Sequence, residues 1–133
     1  MPFVLDASIV HDWAFDEGDP TAALARERFR SDVGLVPGLW WYEVRNGLII
    51  GERRGRATEE YSRSFLADLA QFPITLDAVP DEAAVMTLAR RHRLTVYDES
   101  YLELALREGV PLATLDRPLA NAARVERVAL VGG

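Results

Sequence analysis

Short apolar runs alternate with helix-like segments along the chain, and this alternation most limits the folds it can adopt. The runs lack the polar–apolar alternation of a half-exposed strand, so both of their faces are expected to be buried. Strands are predicted at FVLD (3–6), GLVP (34–37), ITLDAV (74–79), LTVY (94–97), LATL (112–115) and near RVALV (127–131). Helices are predicted over 7–16, 21–32, 39–54, 58–72, 81–93 and 99–108. The pattern predicts an α/β fold with helices on both faces of a mostly parallel sheet.

Aspartates stand at the ends of three of these predicted strands, at Asp6, Asp98 and Asp116. Because the carboxyl ends of parallel strands lie along one edge of a sheet, the three carboxylates are expected to meet there. Each aspartate taken singly is also explained by a helix cap or a turn. Three acids in one place would repel one another, so their shared position predicts a compensating partner.

A fourth acid, Glu43, lies in the predicted helix LWWYEVRNGLIIGERR, beside the apolar stripe of that helix. One interpretation is a position at the edge of the stripe, paired with Arg45 or Arg53. The other is a carboxylate that joins the three aspartates. The second is favoured because a buried acid needs a specific partner.

Few positively charged side chains lie near these acids in the sequence. It has no lysine, and Arg117 is the only arginine within the motifs that carry the aspartates. A divalent cation such as Mg²⁺ or Mn²⁺ is therefore expected, since both favour carboxylate and water oxygens. Zinc is not expected, because the chain has no cysteine and because His11 and His92 are interpreted as surface residues of helices.

A carboxylate cluster with metal at the edge of a sheet predicts phosphodiester hydrolysis. Asp6, Glu43 and Asp98 are the first-choice metal ligands, and Asp116 is expected either to bind a second ion or to orient a water. Nearby hydroxyls are candidates for holding these ligands or waters in place.

Three blocks of the sequence resemble the PIN-domain family, in order along nearly the whole chain: VLDASIV, PGLWWYEVRNGL and LTVYDESYLELALREGVPLATLDRPLANAA. More narrowly, they resemble the toxin ribonucleases of VapBC-type toxin–antitoxin modules. The resemblance implies a single domain over 1–133, a three-layer α/β/α sandwich with a central parallel sheet, and RNA cleavage that depends on Mg²⁺ or Mn²⁺. It places the family's acids at Asp6, Glu43, Asp98 and Asp116, with Ser8, Asn46 and Thr114 as supporting groups.

The resemblance also implies partners. Family members are usually homodimers, held inactive by an antitoxin protein that binds across the groove. The net charge of −6 counts against a plain nucleic-acid-binding module, so RNA would have to be held by local arginines, and no direct binding of DNA by this chain alone is expected. The candidates for contact with RNA or the partner are Arg45, Arg53, Arg54 and Arg56.

One position departs from the family pattern. A small residue commonly follows the third acid, whereas this chain has Glu99. Glu99 is expected to face solvent in the first turn of a helix, where an acid favours the helix dipole. The alternative is an extra charge that alters metal affinity.

Tyr101 is expected either to line the groove or to pack within the helix layer, and Trp40 and Trp41 are expected to pack rather than to stack on bases.

The absence of cysteine, of a membrane-spanning run and of a signal peptide predicts a cytoplasmic protein.

Among the alternative functions, a non-catalytic PIN domain that binds metal and a protein partner shares the acidic pocket. A phosphoacceptor receiver domain requires a lysine near the last strand, which this chain lacks. A phosphatase with an aspartyl nucleophile usually has an Asp-x-Asp pair, and Ser8 occupies the position of the second acid.

Overall fold

A computed structural model describes all 133 residues. Its strands are β1 (Phe3–Leu5), β2 (Gly34–Val36), β3 (Ile74–Leu76) and β4 (Leu112–Ala113). They form one four-stranded sheet in the order β3-β2-β1-β4, and every pair is parallel. The central strand β1 is completely buried, as expected for an apolar run covered on both faces. The predicted α/β/α architecture around a parallel sheet is confirmed.

Seven helices surround this sheet. They are α1 (Ala7–Phe15), α2 (Pro20–Arg28), α3 (Leu39–Arg53), α4 (Glu59–Leu69), α5 (Glu82–His92), α6 (Val96–Glu108) and α7 (Arg117–Val125). Helix α6 has more buried residues than any other helix, and it contributes Tyr101, Leu102, Leu104 and Ala105 to the core. No helix combines the length and the apolar character that spanning a membrane requires.

The strand predicted at 94–97 is wrong. Arg93 ends α5 in a left-handed conformation, and Thr95 already caps α6 by accepting the amide N–H of Asp98. Thr95, Val96 and Tyr97 are all exposed, so most of this run does not face a core. Asp98 therefore lies in the first turn of a helix, not at the end of a strand.

The C-terminal part of the chain also differs from prediction. Helix α7 was not predicted, although Asp116 is a suitable N-cap residue and proline is tolerated in a first helical turn. The strand predicted near 127–131 is reduced to a single parallel bridge between Leu130 and Leu112 of β4. The helix predicted over 21–32 ends at Arg28 and is followed by a turn.

Helices α1 and α3 lie against each other along two glycines of α3. A side-chain carbon on Gly47 would overlap the imidazole of His11, and one on Gly51 would overlap the ring of Phe15. His11 Nε2 lies 2.9 Å from the backbone oxygen of Glu43, and since a carbonyl only accepts, Nε2 is the donor. His11 is thus a packing residue between two helices, and its interpretation as a surface residue is wrong.

Candidate active site

Asp6 is the most buried of the four predicted acids. It directly follows β1 at the start of α1 and is 7% exposed, but its side chain makes no capping hydrogen bond to that helix. Burial raises the pKa of the Asp6 carboxyl, and the charges of Asp116 and Asp98 raise it further. Its placement therefore serves something other than capping α1.

Two hydroxyls hold one oxygen of Asp6 in place. Ser8 Oγ and Thr114 Oγ1 each donate to Asp6 Oδ2 at 2.7 Å, and both bonds lower the pKa of that carboxyl. The same hydroxyls accept backbone N–H groups of Leu115 and Asp116, both at 3.0 Å. This network joins the ends of β1 and β4 and leaves Asp6 Oδ1 without a protein hydrogen bond.

Asp116 and Asp98 approach Asp6 from the starts of two helices. Asp116 caps α7, since its Oδ1 accepts the N–H of Leu119 at 3.0 Å. Burial raises the pKa of Asp98, the charge of Asp116 adds to this, and a bond from Thr95 opposes it. The two aspartates therefore face a common space, although Asp98 reaches it from a helix turn instead of from a strand.

Glu43 enters the same space from α3. Its Oε1 accepts a hydrogen bond of 2.5 Å from the hydroxyl of Tyr101 on α6, a residue that is completely buried. Burial raises the pKa of Glu43, the bond from Tyr101 lowers it, and the charges of Asp6 and Asp98 raise it. Burial likewise raises the pKa of the Tyr101 hydroxyl, and the nearby acids add to this. Tyr101 thus packs in the core and also positions Glu43. Its place one turn after Asp98 on the same helix is the sequence feature that indicates this role.

None of these four acids forms a salt bridge. Six of the fifteen arginines pair with carboxylates elsewhere in the chain, and none pairs with Asp6, Glu43, Asp98 or Asp116. The interpretation of Glu43 as a partner of Arg45 or Arg53 is therefore wrong. The acids therefore repel one another, and no positively charged side chain of this protein pairs with them.

The donors in this space fit a hard divalent cation. All are oxygens, and Asp6 Oδ1 is free of protein hydrogen bonds. No three acidic or histidine side chains converge closely enough to hold one ion by themselves. Mg²⁺ commonly takes only one or two carboxylates and keeps several waters, so this open arrangement suits it better than it would suit zinc.

The remaining predicted site residues lie at varying distances from the acids. Asn46 is exposed on α3, one turn beyond Glu43, and makes no side-chain hydrogen bond. Arg45 covers the ring of Trp41, with its guanidinium carbon 4.0 Å from the ring centroid. Arg56 pairs with Glu17 at 3.4 Å. Arg53 and Arg54 are exposed at the end of α3.

Two expectations about surface residues fail near the site. Glu99 is completely buried, and neither of its carboxylate oxygens has a hydrogen-bond partner. Burial raises the pKa of Glu99; the charge of His92 lowers it, and those of Asp98 and Glu126 raise it. The side chain of His92 is only 9% exposed and lies 2.7 Å from Glu126. Both residues face the interior where α5 and the end of α7 pack on α6, contacts that the local sequence does not encode.

Trp40 and Trp41 separate into two roles. Trp40 belongs to the core, as expected, whereas Trp41 is 44% exposed and makes an edge contact with Tyr42. Trp41, Tyr42 and Arg45 thus form a small exposed aromatic surface on the first turns of α3.

Comparison with known proteins identifies relatives over nearly the full chain. The family model described as the PIN domain matches residues 3–125. Ribonuclease VapC3 of Pyrobaculum aerophilum is 41% identical over 130 residues, which cover 91% of this chain and 94% of that protein.

Solved structures share the fold. The crystal structure of PAE2754 from Pyrobaculum aerophilum has a TM-score of 0.72 and 26% sequence identity, and the match covers 99% of this chain and 85% of that one. A structure of VapBC2 from Rickettsia felis bound to a DNA fragment from their promoter has a TM-score of 0.66 and 15% identity, covering 98% of this chain and 97% of that one.

Proposed function

The chain belongs to the PIN-domain family, and on that basis we propose that it is a metal-dependent endoribonuclease that acts as the toxin of a toxin–antitoxin pair. One observation carries the proposal: four carboxylates from β1, α3, α6 and α7 share one space, and no cation of the chain pairs with any of them. A relative that is 41% identical is named a ribonuclease, which supports RNA as the substrate.

Asp6, Glu43 and Asp98 are the proposed ligands of a Mg²⁺ or Mn²⁺ ion, one or two of them directly and the rest through waters on the ion, and Asp116 is proposed to help hold a second ion or to orient a water. Such an ion lowers the pKa of a bound water and stabilises the charge that develops on the phosphate.

The chain supplies the positioning. Ser8 and Thr114 fix Asp6 Oδ2 and leave Oδ1 without a protein hydrogen bond. Tyr101 fixes one oxygen of Glu43, and the cap on α7 fixes one oxygen of Asp116. Each of these three acids thus keeps one oxygen free of protein hydrogen bonds, and little of their conformational entropy remains to be lost when a ligand binds.

The proposed partners are RNA, a cognate antitoxin and a second copy of the chain. The VapBC2 assembly among the structural neighbours supports an antitoxin partner. Helix α3 also displays exposed apolar side chains, which are typical of protein contact surfaces. They are Trp41, Tyr42, Ile49 and Ile50.

Cleavage of a mixed RNA pool by the isolated protein tests the function, with Mg²⁺, with Mn²⁺ and with a chelator. We expect metal-dependent cleavage that falls by at least about 100-fold in Asp98→Asn, the upper end of losses seen when only a supporting group is removed. Asp68→Asn is the matched control, because Asp68 is an exposed acid on α4.

Equal cleavage by the parent and Asp98→Asn would show that the ligand assignment is wrong. A folded, metal-binding parent that cuts nothing in a broad RNA panel would instead favour the non-catalytic module that binds metal and a partner protein.

A further inference from the structure

A cavity of about 450 Å³ adjoins the acids and has no role in the site described so far. It lies between the starts of α2 and α7, and it shares Thr114 and Asp116 with the acid cluster. Its volume falls within the range of about 300–1,000 Å³ typical of small-ligand sites. The other polar residues of its wall are Asp19, Thr21, Arg117, Asn121 and Arg124.

Three of these wall residues form one face of α7. Arg117, Asn121 and Arg124 are spaced by four and three residues, which places them on the same side of a helix. Arg124 Nη1 donates to Asn121 Oδ1 at 3.0 Å, so the amide orients the guanidinium. Neither arginine pairs with a carboxylate, in contrast to the six arginines that form salt bridges. Two unpaired guanidinium groups therefore border the cavity.

The acids of the cavity leave few free acceptor atoms. Asp19 Oδ1 accepts the N–H of Thr21 at 2.8 Å, and Asp116 Oδ1 accepts the N–H of Leu119 at 3.0 Å. One oxygen remains to each carboxylate, whereas each arginine offers a planar fork of donors that matches a phosphate. An occupant that suits this wall carries an anion for the arginines and hydroxyl donors for the acids. A ribonucleotide unit has both, because its 2′-hydroxyl donates as well as accepts.

We infer that this cavity, the α2–α7 pocket, holds the ribose and phosphate next to the bond that is cleaved, with Arg117 and Arg124 as the phosphate ligands. The inference rests on the proposed ribonuclease function, since it concerns the same substrate. It extends the RNA contact from the acids along α7, away from the arginines at the end of α3.

Salt dependence of RNA binding tests the pocket without requiring cleavage. A single-stranded RNA oligonucleotide is titrated against Asp98→Asn, in Mg²⁺, over a series of salt concentrations. Adding Arg117→Gln or Arg124→Gln should reduce the slope of log K against log salt by about 0.7 each, because each phosphate contact on a single strand contributes about that much. Adding Arg117→Lys instead should retain the slope, since the charge remains.

Arg127→Gln is the matched control. Arg127 is exposed and pairs with no carboxylate, and it borders a different cavity with Met1 and Pro111. Pro111 precedes β4, so this second cavity lies at the opposite end of that strand from Thr114. The control should leave the salt slope and the cleavage rate unchanged.

Cleavage kinetics separate this inference from the proposed function. With the other residues unaltered, Arg117→Gln and Arg124→Gln should raise KM and leave kcat nearly unchanged, because a contact equally strong in ground and transition states affects only binding. Cleavage by the parent with unaltered salt slope and KM in both variants would overturn the pocket and leave the nuclease standing. RNA binding that depends on these arginines, without any cleavage, would overturn the nuclease and leave the pocket.

Discussion

Tyr101 has a single hydrogen-bond acceptor, the carboxylate of Glu43, although the whole side chain is buried. Tyr101→Phe keeps the ring and removes this donor. We expect RNA cleavage to fall by about 10- to 100-fold, as is typical when a group that orients a metal ligand is lost. The pKa of Glu43 should also rise further, because the lost bond is one that lowers it. The pH dependence of cleavage by parent and variant measures both effects.

Tyr97→Phe is the control for this substitution. Tyr97 lies on the same helix but is 65% exposed, and its hydroxyl makes no hydrogen bond. If Tyr97→Phe and Tyr101→Phe lose activity equally, the role assigned to Tyr101 is wrong.

The contact between α1 and α3 sets the spacing between Asp6, at the start of α1, and Glu43. Gly47→Ala would push a methyl group into the imidazole of His11. We expect the free energy of unfolding to fall by about 1–3 kcal/mol, as overpacked interiors usually lose, with the better helix propensity of alanine offsetting about 1 kcal/mol. Cleavage should fall as well. Denaturant unfolding and RNA cleavage measure the two quantities.

A double-mutant cycle identifies the cause of any loss from Gly47→Ala. Adding His11→Ala removes the overlapping ring, so part of the lost stability should return as a favourable coupling energy. Gly38→Ala is the control at the start of the same helix, where a side-chain carbon meets no atom within 4 Å. Purely additive effects of Gly47→Ala and His11→Ala would contradict the packing explanation.

The sequence predicted elements well where local pattern and burial agree. The strands predicted at 3–6, 34–37, 74–79 and 112–115 all exist in shortened form. The helices predicted between them also exist, although α6 begins at Val96, three residues before its predicted start. The strand predicted at 94–97 was wrong because apolar character alone does not distinguish a strand from the start of a helix. The Thr95-x-x-Asp98 spacing, which resembles a capping box, was the better signal.

The structure brings the predicted acids together, but several contacts around them were not predicted. Asp6 and Asp116 were placed by the ends of strands, and Glu43 by its helical stripe; all three reach the shared space. The bond from Tyr101 and the burial of Glu99 depend on how α6 packs against distant segments. Such packing is not visible in any single stretch of the sequence.

The uncompensated acids should make the stability of the whole molecule depend on pH and metal. The pKa values of Asp6, Glu43 and Asp98 are all raised in the fold, so their contribution to stability is full below their unfolded pKa values of about 4. It is lost as pH rises through the folded values. Without metal, the free energy of unfolding should therefore decline as pH rises above about 4, and added Mg²⁺ should restore it by binding the native state.

Comparison of the parent with Asp98→Asn isolates this effect from all other titrations. The difference in unfolding free energy between the two proteins should grow in favour of the variant as pH rises in the absence of metal, and it should shrink when Mg²⁺ is added. A difference that is independent of both pH and Mg²⁺ would mean that the acids do not repel one another as described.

The bond from Thr114 to Asp6 spans 108 residues of sequence. During synthesis, the ribosome releases Asp6, Ser8 and Glu43 long before β4 and the start of α7 emerge. If cleavage depends on a fixed Asp6, a nascent chain cannot cut RNA, including the message that encodes it, until β4 and Thr114 have been synthesised and have paired with β1. The parallel pairing of β4 with β1 would then prevent RNA cleavage by any chain in which β4 has not yet been synthesised.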